Sequence, residues 1–202
     1  MEPNLSIALC VRNDEARLPA MVRGAIQLAR RLESSTLRPV CEAQFGFEVL
    51  ALDERSHDNS LSALSLLQAR VPELRCIQDL APGTALQQAA RTARGRYWLF
   101  ADSPIDEELG LWAVEQLFCG YRASLVPGEL LALERELGQH EVSWPRGGLL
   151  RAQHEVTKAL KTHGDAPVRA APRDRSVRAR ASRILRGRAA RLGFARFDRP
   201  KK

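Results

Sequence analysis

The most concentrated chemistry in the chain lies in "RGRYWLFADSPID", residues 94–106. An apolar run, Tyr97 to Ala101, delivers a carboxylate, Asp102, to the point where a strand should stop. A second carboxylate two residues later would complete an oxygen clamp for a hard divalent cation. Position 104 is instead a proline, which has no side-chain ligand. Asp106 lies four residues beyond Asp102 and replaces the missing ligand if the Pro104 turn folds it back; its other reading is the N-cap of a following helix. Two earlier apolar runs end in the same way, "LSIALCV" before Arg12-Asn13-Asp14 and "FEVLAL" before Asp53.

Positioning these groups requires a repeating scaffold. The runs Leu5 to Val11, Phe47 to Leu52, Leu74 to Ile77 and Tyr97 to Ala101 have strand length. Between them lie stretches at helical spacing. The first runs from an Asn13 or Asp14 cap to about Leu32, with Pro19 near its start. The second carries Leu61, Leu64 and Leu67 and stops before Val71-Pro72, and the third runs from Thr84 to Arg94, closed by Gly95. Three strand-helix crossovers predict an α/β fold with a mostly parallel sheet flanked by helices. Ligands bind such sheets beyond the carboxyl ends of the strands, so Asn13, Asp53 and Asp102 are expected to face one crevice. Beyond Asp102 the pattern predicts a helix over Glu107 to Tyr121, a strand over Leu130 to Leu133 and a helix over Leu149 to Leu160. Trp98 and Trp112 read as core, and Trp144, beside Pro145 and Gly147-Gly148, as an acceptor-loop candidate.

Charge divides the chain. Residues 169–202 hold 13 Lys or Arg against two acids, although the whole chain has a net charge of only +7. We therefore expect a mildly acidic domain over residues 1–164, then a Pro/Ala/Arg linker and basic tail over 165–202 with an Arg-rich helix from Ser176 to Leu192. A basic amphipathic helix suits anionic lipid headgroups. No aromatic-interleaved groove accompanies the charge, which argues against nucleic acid. No apolar stretch approaches the roughly 18 residues that cross a bilayer, so the expected location is cytoplasmic, with peripheral contact at the inner face of the membrane. Cys10, Cys41, Cys76 and Cys119 are scattered singly, as reduced thiols rather than a zinc or disulfide framework.

Three segments in order resemble the family-two glycosyltransferases. "LSIALCVRNDEARLP" is similar to their opening strand and turn, "FEVLALDERSHDNSLSAL" to their second signature, with Asp53, Ser56 and Asp58 retained, and "GTALQQAARTARGRYWLFADSPID" to the strand presenting their DXD motif. The wording "LFAD" and the helix after it are most similar to the polyprenyl-phosphate and dolichyl-phosphate sugar transferases. The resemblance implies a GT-A fold and transfer of a sugar from a nucleotide-sugar donor to an acceptor, a polyprenyl phosphate or a glycan. It places Cys10, Val11, Arg12, Asn13, Asp53, Arg55, Gly83 and Asp102 around the donor, with Asp53 on the nucleobase. It also implies a divalent cation, Mg²⁺ or Mn²⁺, on Asp102 with Asp106.

The departures from the family wording bear on activity. Cys10 and Arg12 replace its Pro and Tyr, Glu54 and Arg55 stand where it has Asp and Gly, and Pro104 replaces the second DXD aspartate. Arg12 or Arg55 could supply positive charge to a diphosphate without a metal. No catalytic base is evident in the sequence; Glu134 and Glu136 are the nearest carboxylates beyond the matched region. The second reading is a GT-A domain that has lost transfer and serves as a nucleotide-binding or protein-interaction module.

Overall fold

The computed structural model describes residues 2–37 and 45–171. Cys41, the expected Ser176–Leu192 helix and most of the basic tail lie outside the described residues. Four strands alternate with helices in the first half: β1 (Leu5–Val11), α1 (Leu18–Glu33), β2 (Phe47–Asp53), α2 (Ser60–Gln68), β3 (Leu74–Ile77), α3 (Ala85–Thr92) and β4 (Tyr97–Ala101). The second half adds α4 (Glu107–Phe118), β5 (Ala123–Val126), β6 (Leu130–Glu134), α5 (Arg135–His140), α6 (Leu149–Thr162) and β7 (Val168–Arg169). They form one sheet in the order β3-β2-β1-β4-β6-β5-β7. Strands β3, β2, β1 and β4 pair in parallel, and β6 is antiparallel to both its neighbours.

Continuous apolar runs suit strands covered on both faces. Leu5, Ile7, Leu9 and Val11 of β1 join Leu99 and Ala101 of β4 beneath α1, α2 and α4. Ala8, Leu50, Leu52, Trp98 and Phe100 point the other way, under α3, α5 and α6. The alternation follows from the two-residue period of a strand. Burial on both sides explains why β4 reads as an unbroken hydrophobic run and β1 and β2 as runs interrupted only by Ser6 and Glu48 before their polar ends.

Several boundaries differ from expectation. Helix α1 begins at Leu18, with Pro19 in its first turn. The Asp14 carbonyl instead accepts the N–H groups of Arg17 and Leu18, so the expected cap residues form the turn that precedes the helix. Helix α4 stops at Phe118, short of Tyr121, and is followed by Gly120 at positive φ. β5 and α5 are short elements whose sequence carries little periodic signal. β7 adds two residues beside β5, so the sheet continues past the expected domain end at residue 164.

Gly95 does not act as a left-handed helix cap, because Ala93 already leaves α3 in an extended conformation. The constraint is steric: a Cβ on Gly95 would lie 2.5 Å from the Ser6 nitrogen and 2.7 Å from the Leu5 carbonyl carbon. Backbone cannot swing aside as a side chain can. Gly95→Ala is expected to lower unfolding free energy by about 1–3 kcal/mol, read from a urea melt followed by circular dichroism.

Candidate functional site

The pairing register places the expected site residues at one end of the sheet. Val11 at the end of β1 is level with Asp53 at the end of β2, and Leu9 is level with Ala101, the residue before Asp102. Asn13, Asp53 and Asp102 therefore emerge from adjacent strands at their carboxyl ends, as the crossover pattern predicts.

The loops after β1 and β2 are laced together. Asn13 N–H donates to Ser56 Oγ at 2.9 Å, His57 N–H to Asn13 Oδ1 at 2.8 Å, and Asp14 N–H to Ser60 Oγ at 3.0 Å. Asp58 accepts from Glu15 N–H through Oδ2 and from Ser60 N–H, at the start of α2, through Oδ1. Burial raises its pKa, but the hydrogen bonds from Ser60 and Glu15 outweigh this and hold its carboxyl below the ordinary range. Ser56 and Asp58, retained from the second signature, thus fix one loop against the other.

Two acids near this end hold other parts in place. Glu54 Oε1 accepts the Ala85 N–H at 2.9 Å and so satisfies a donor in the first turn of α3. Asp14 Oδ1 pairs with Arg17 Nη2 at 2.9 Å, and the same Nη2 donates to the Asp102 carbonyl at 3.3 Å. Arg17 therefore ties the loop after β1 to the end of β4. These two roles were not visible in the sequence, because they arise between residues 31 and 85 positions apart.

The Asp53 carboxylate is only half engaged. It is fully buried, and its Oδ2 accepts the Ser56 N–H at 3.3 Å. Its Oδ1 is buried with no partner among the described residues. An unsatisfied buried acceptor in a native fold calls for an explanation, and a ligand donor is one.

The other expected residues divide between this end and local structure. Arg12 follows β1 and is partly buried, its N–H donating to Asp14 Oδ2 at 3.0 Å. Cys10 is level with Leu52 and packs at the edge of the core under α3. Gly83, at φ 78°, accepts the Gly147 N–H through its carbonyl. Arg55 pairs through Nε with Asp79 Oδ1 at 2.9 Å on the exposed surface. It also holds φ 50°, a left-handed backbone at the position where the family wording has Gly. Such a backbone costs a side-chain-bearing residue roughly 1–2 kcal/mol, partly offset by the extra chain entropy a glycine loses on folding. Arg55→Gly is expected to stabilise the fold by about 0.5–1 kcal/mol in a thermal melt, because the exposed ion pair contributes little.

Asp106 is the N-cap of α4, its Oδ1 accepting the Leu109 N–H at 3.1 Å. Position 104 offers no ligand, so Asp102 is the one carboxylate of the motif at the end of β4. Among the described residues no group of three or more His, Cys, Asp or Glu side chains is placed to hold a metal ion. This donor set does not fit the two-carboxylate clamp.

Two further candidates lie elsewhere. Trp144 is half-buried, its ring 5.2 Å from that of Phe100 and its Nε1 donating to the Gly138 carbonyl. Glu134 is level with Tyr97, at the amino end of β4 and thus opposite Asp102. Burial raises its pKa, with a smaller push from Glu136, against opposing pulls from Arg122 and Arg96. Its position removes it as a base for chemistry at Asp102.

Hollows of about 440 and 450 Å³ also lie at the amino end, lined by residues that include Glu2, Pro3, Glu48, Arg94 and Arg96. The hollow beside the interlaced loops is smaller, about 280 Å³, and includes Asn13, Asp14, Arg17 and Asp58 in its lining. The carboxyl end nevertheless has the unsatisfied Asp53 oxygen and the strand-end geometry that binds ligands in open α/β sheets.

No protein-family description matches this sequence, and no curated protein does. Solved structures do match its fold. A mannosyltransferase from Pyrobaculum calidifontis, in complex with GDP-Man and Mn²⁺, superposes with a TM-score of 0.59 at 20% identity, covering 96% of this chain and 66% of that one. The fold is GT-A. The S. aureus TarS fragment 1–349 in complex with UDP gives a TM-score of 0.57 at 15% identity over 96% of this chain and 67% of that one. Glucosyl-3-phosphoglycerate synthase from Mycobacterium tuberculosis, with Mn²⁺, UDP and its product, gives 0.54 at 16% identity over 94% and 79%. The chain thus spans about two thirds of the length of the first two. Within this sheet, Asp53 closes β2 and Asp102 directly follows β4. No helix among the described residues is long and apolar enough to cross a membrane.

Proposed function

We propose that this chain binds a nucleotide-sugar donor at the carboxyl ends of β1, β2 and β4 and transfers the sugar to an acceptor. The observation that carries the reading is Asp53 Oδ1, a fully buried acceptor without a partner among the described residues, at the strand end of a GT-A sheet. A nucleobase ring N–H is the kind of donor that would satisfy it. Asn13, Ser56 and Asp58 hold the surrounding loops in register, so the acceptor is pre-placed. The test is calorimetric titration of the full chain with UDP, GDP and their sugars. Binding of one nucleobase series in preference to the other supports the donor assignment; no binding of any of them sinks it.

For the acceptor we propose a polyprenyl phosphate, on the wording "LFAD" and on the 13 basic side chains of residues 169–202, which suit contact with the anionic cytoplasmic face of a membrane. Co-sedimentation with phosphatidylglycerol vesicles tests the membrane part. Deleting residues 173–202 is expected to abolish sedimentation, and retention by the shortened chain would refute the contact.

A further inference from the structure

We infer that the donor diphosphate is neutralised here by the Arg12 guanidinium in place of a divalent cation. The inference rests on the donor reading above and specifies how that site holds charge. The donor set argues against a cation clamp: Pro104 has no ligand and Asp106 is the cap of α4. The same end of the sheet supplies three arginines, Arg12, Arg17 and Arg55.

The register gives Arg12 its significance. β1 and β4 are neighbouring parallel strands paired from Leu5–Tyr97 to Leu9–Ala101, so Arg12 and Pro104 both lie in the turns beyond this end of the sheet. A residue that brings a positive charge thus follows the strand next to the one whose following turn lacks a second carboxylate. A carboxylate with its bound cation and a guanidinium alone both present positive charge to phosphate oxygens. The guanidinium adds a planar fork of donors that matches those oxygens in pairs.

Its neighbours favour that use. Arg12 is partly buried, and low-dielectric surroundings strengthen its attraction for a diphosphate. Arg17 fixes the frame through Asp14 and the Asp102 carbonyl, and the main chain of Arg12 is held by the same Asp14 carboxylate.

The test is calorimetry on the full chain with UDP and GDP, in EDTA and then in Mn²⁺. Wild-type affinity is expected to change by less than about twofold between the two buffers. Arg12→Gln is expected to weaken diphosphate binding on the order of 10- to 100-fold, the effect of one charge-assisted hydrogen-bonding group, and to leave uridine or guanosine binding unchanged. Arg12→Lys, which keeps the charge, should recover part of the loss and shows that the fold tolerates change at this position. The double substitution Arg12→Tyr with Pro104→Asp should make binding dependent on Mn²⁺. A wild type that binds UDP or GDP only with Mn²⁺, or an Arg12→Gln variant of undiminished affinity, overturns this inference while the donor reading stands. Failure of wild type to bind either nucleotide in either buffer overturns both.

Discussion

Glu48→Ala is expected to cost about 3–5 kcal/mol of unfolding free energy, a large part of the 5–15 kcal/mol typical of a domain. Glu48 is buried near the amino end of β2, and its carboxylate gathers four segments. Oε1 accepts the Ser6 hydroxyl at 2.7 Å and the Arg94 N–H at 2.8 Å, while Oε2 pairs with Arg75 Nη1 on β3. Ser6 Oγ in turn accepts the Gly95 N–H at 2.8 Å. One side chain therefore joins β1, β2, β3 and the turn into β4. Truncation leaves the buried Ser6 hydroxyl and the partly buried Arg94 N–H without this acceptor and the partly buried Arg75 without its counter-ion, which is why the cost exceeds that of a single hydrogen bond. Glu48→Gln keeps an acceptor oxygen and should lose roughly 1–2 kcal/mol. Urea unfolding of both variants measures the difference, and equal losses would show that shape rather than charge holds the corner. Because this network lies at the end of the sheet opposite Asp53, nucleotide affinity of the folded protein should not change with either substitution.

The contrast between the two ends also explains what the sequence makes legible. Runs such as "LSIALCV" and "YWLFA" declare themselves as strands because both faces are buried, and their polar terminators point to the crevice without any long-range information. The length of β7 is two residues, and it is a strand only because β5 offers it an edge. No local pattern announces such an element. The same distinction separates the residues of the candidate site. Asp53 and Asp102 are set by their strands, whereas the work of Arg17 and Glu54 depends on loops meeting across the fold. Asp106 shows the converse: a carboxylate at suggestive spacing from Asp102 satisfies its nearest local demand, the open first turn of α4. Trp144 likewise has a loop sequence around it, yet its ring completes the aromatic packing of Trp98 and Phe100.

Asp53→Asn is expected to separate stability from binding. In the wild type one carboxylate oxygen is engaged by the Ser56 N–H and the other is buried without a partner among the described residues. Burying an unsatisfied oxygen costs on the order of 1–3 kcal/mol, and more when it belongs to a charged group. An amide of nearly the same shape keeps one oxygen for Ser56 and replaces the carboxylate charge with a neutral dipole, so the unliganded variant should be about 1 kcal/mol more stable. That gain comes at the position proposed to receive the nucleobase. If Oδ1 accepts a ring N–H, the amide nitrogen of the variant presents a donor to a donor, and affinity for the preferred nucleotide should fall about 100-fold or more. Thermal melts with and without UDP or GDP read both quantities from one preparation. A higher melting temperature alone, with the nucleotide-induced rise abolished, is the expected pattern, since a ligand that binds only the native state raises stability in proportion to its affinity. A variant that is less stable but binds nucleotide as the wild type does would assign Asp53 to the architecture of the β2 turn, and the donor pocket would have to be sought elsewhere on the sheet.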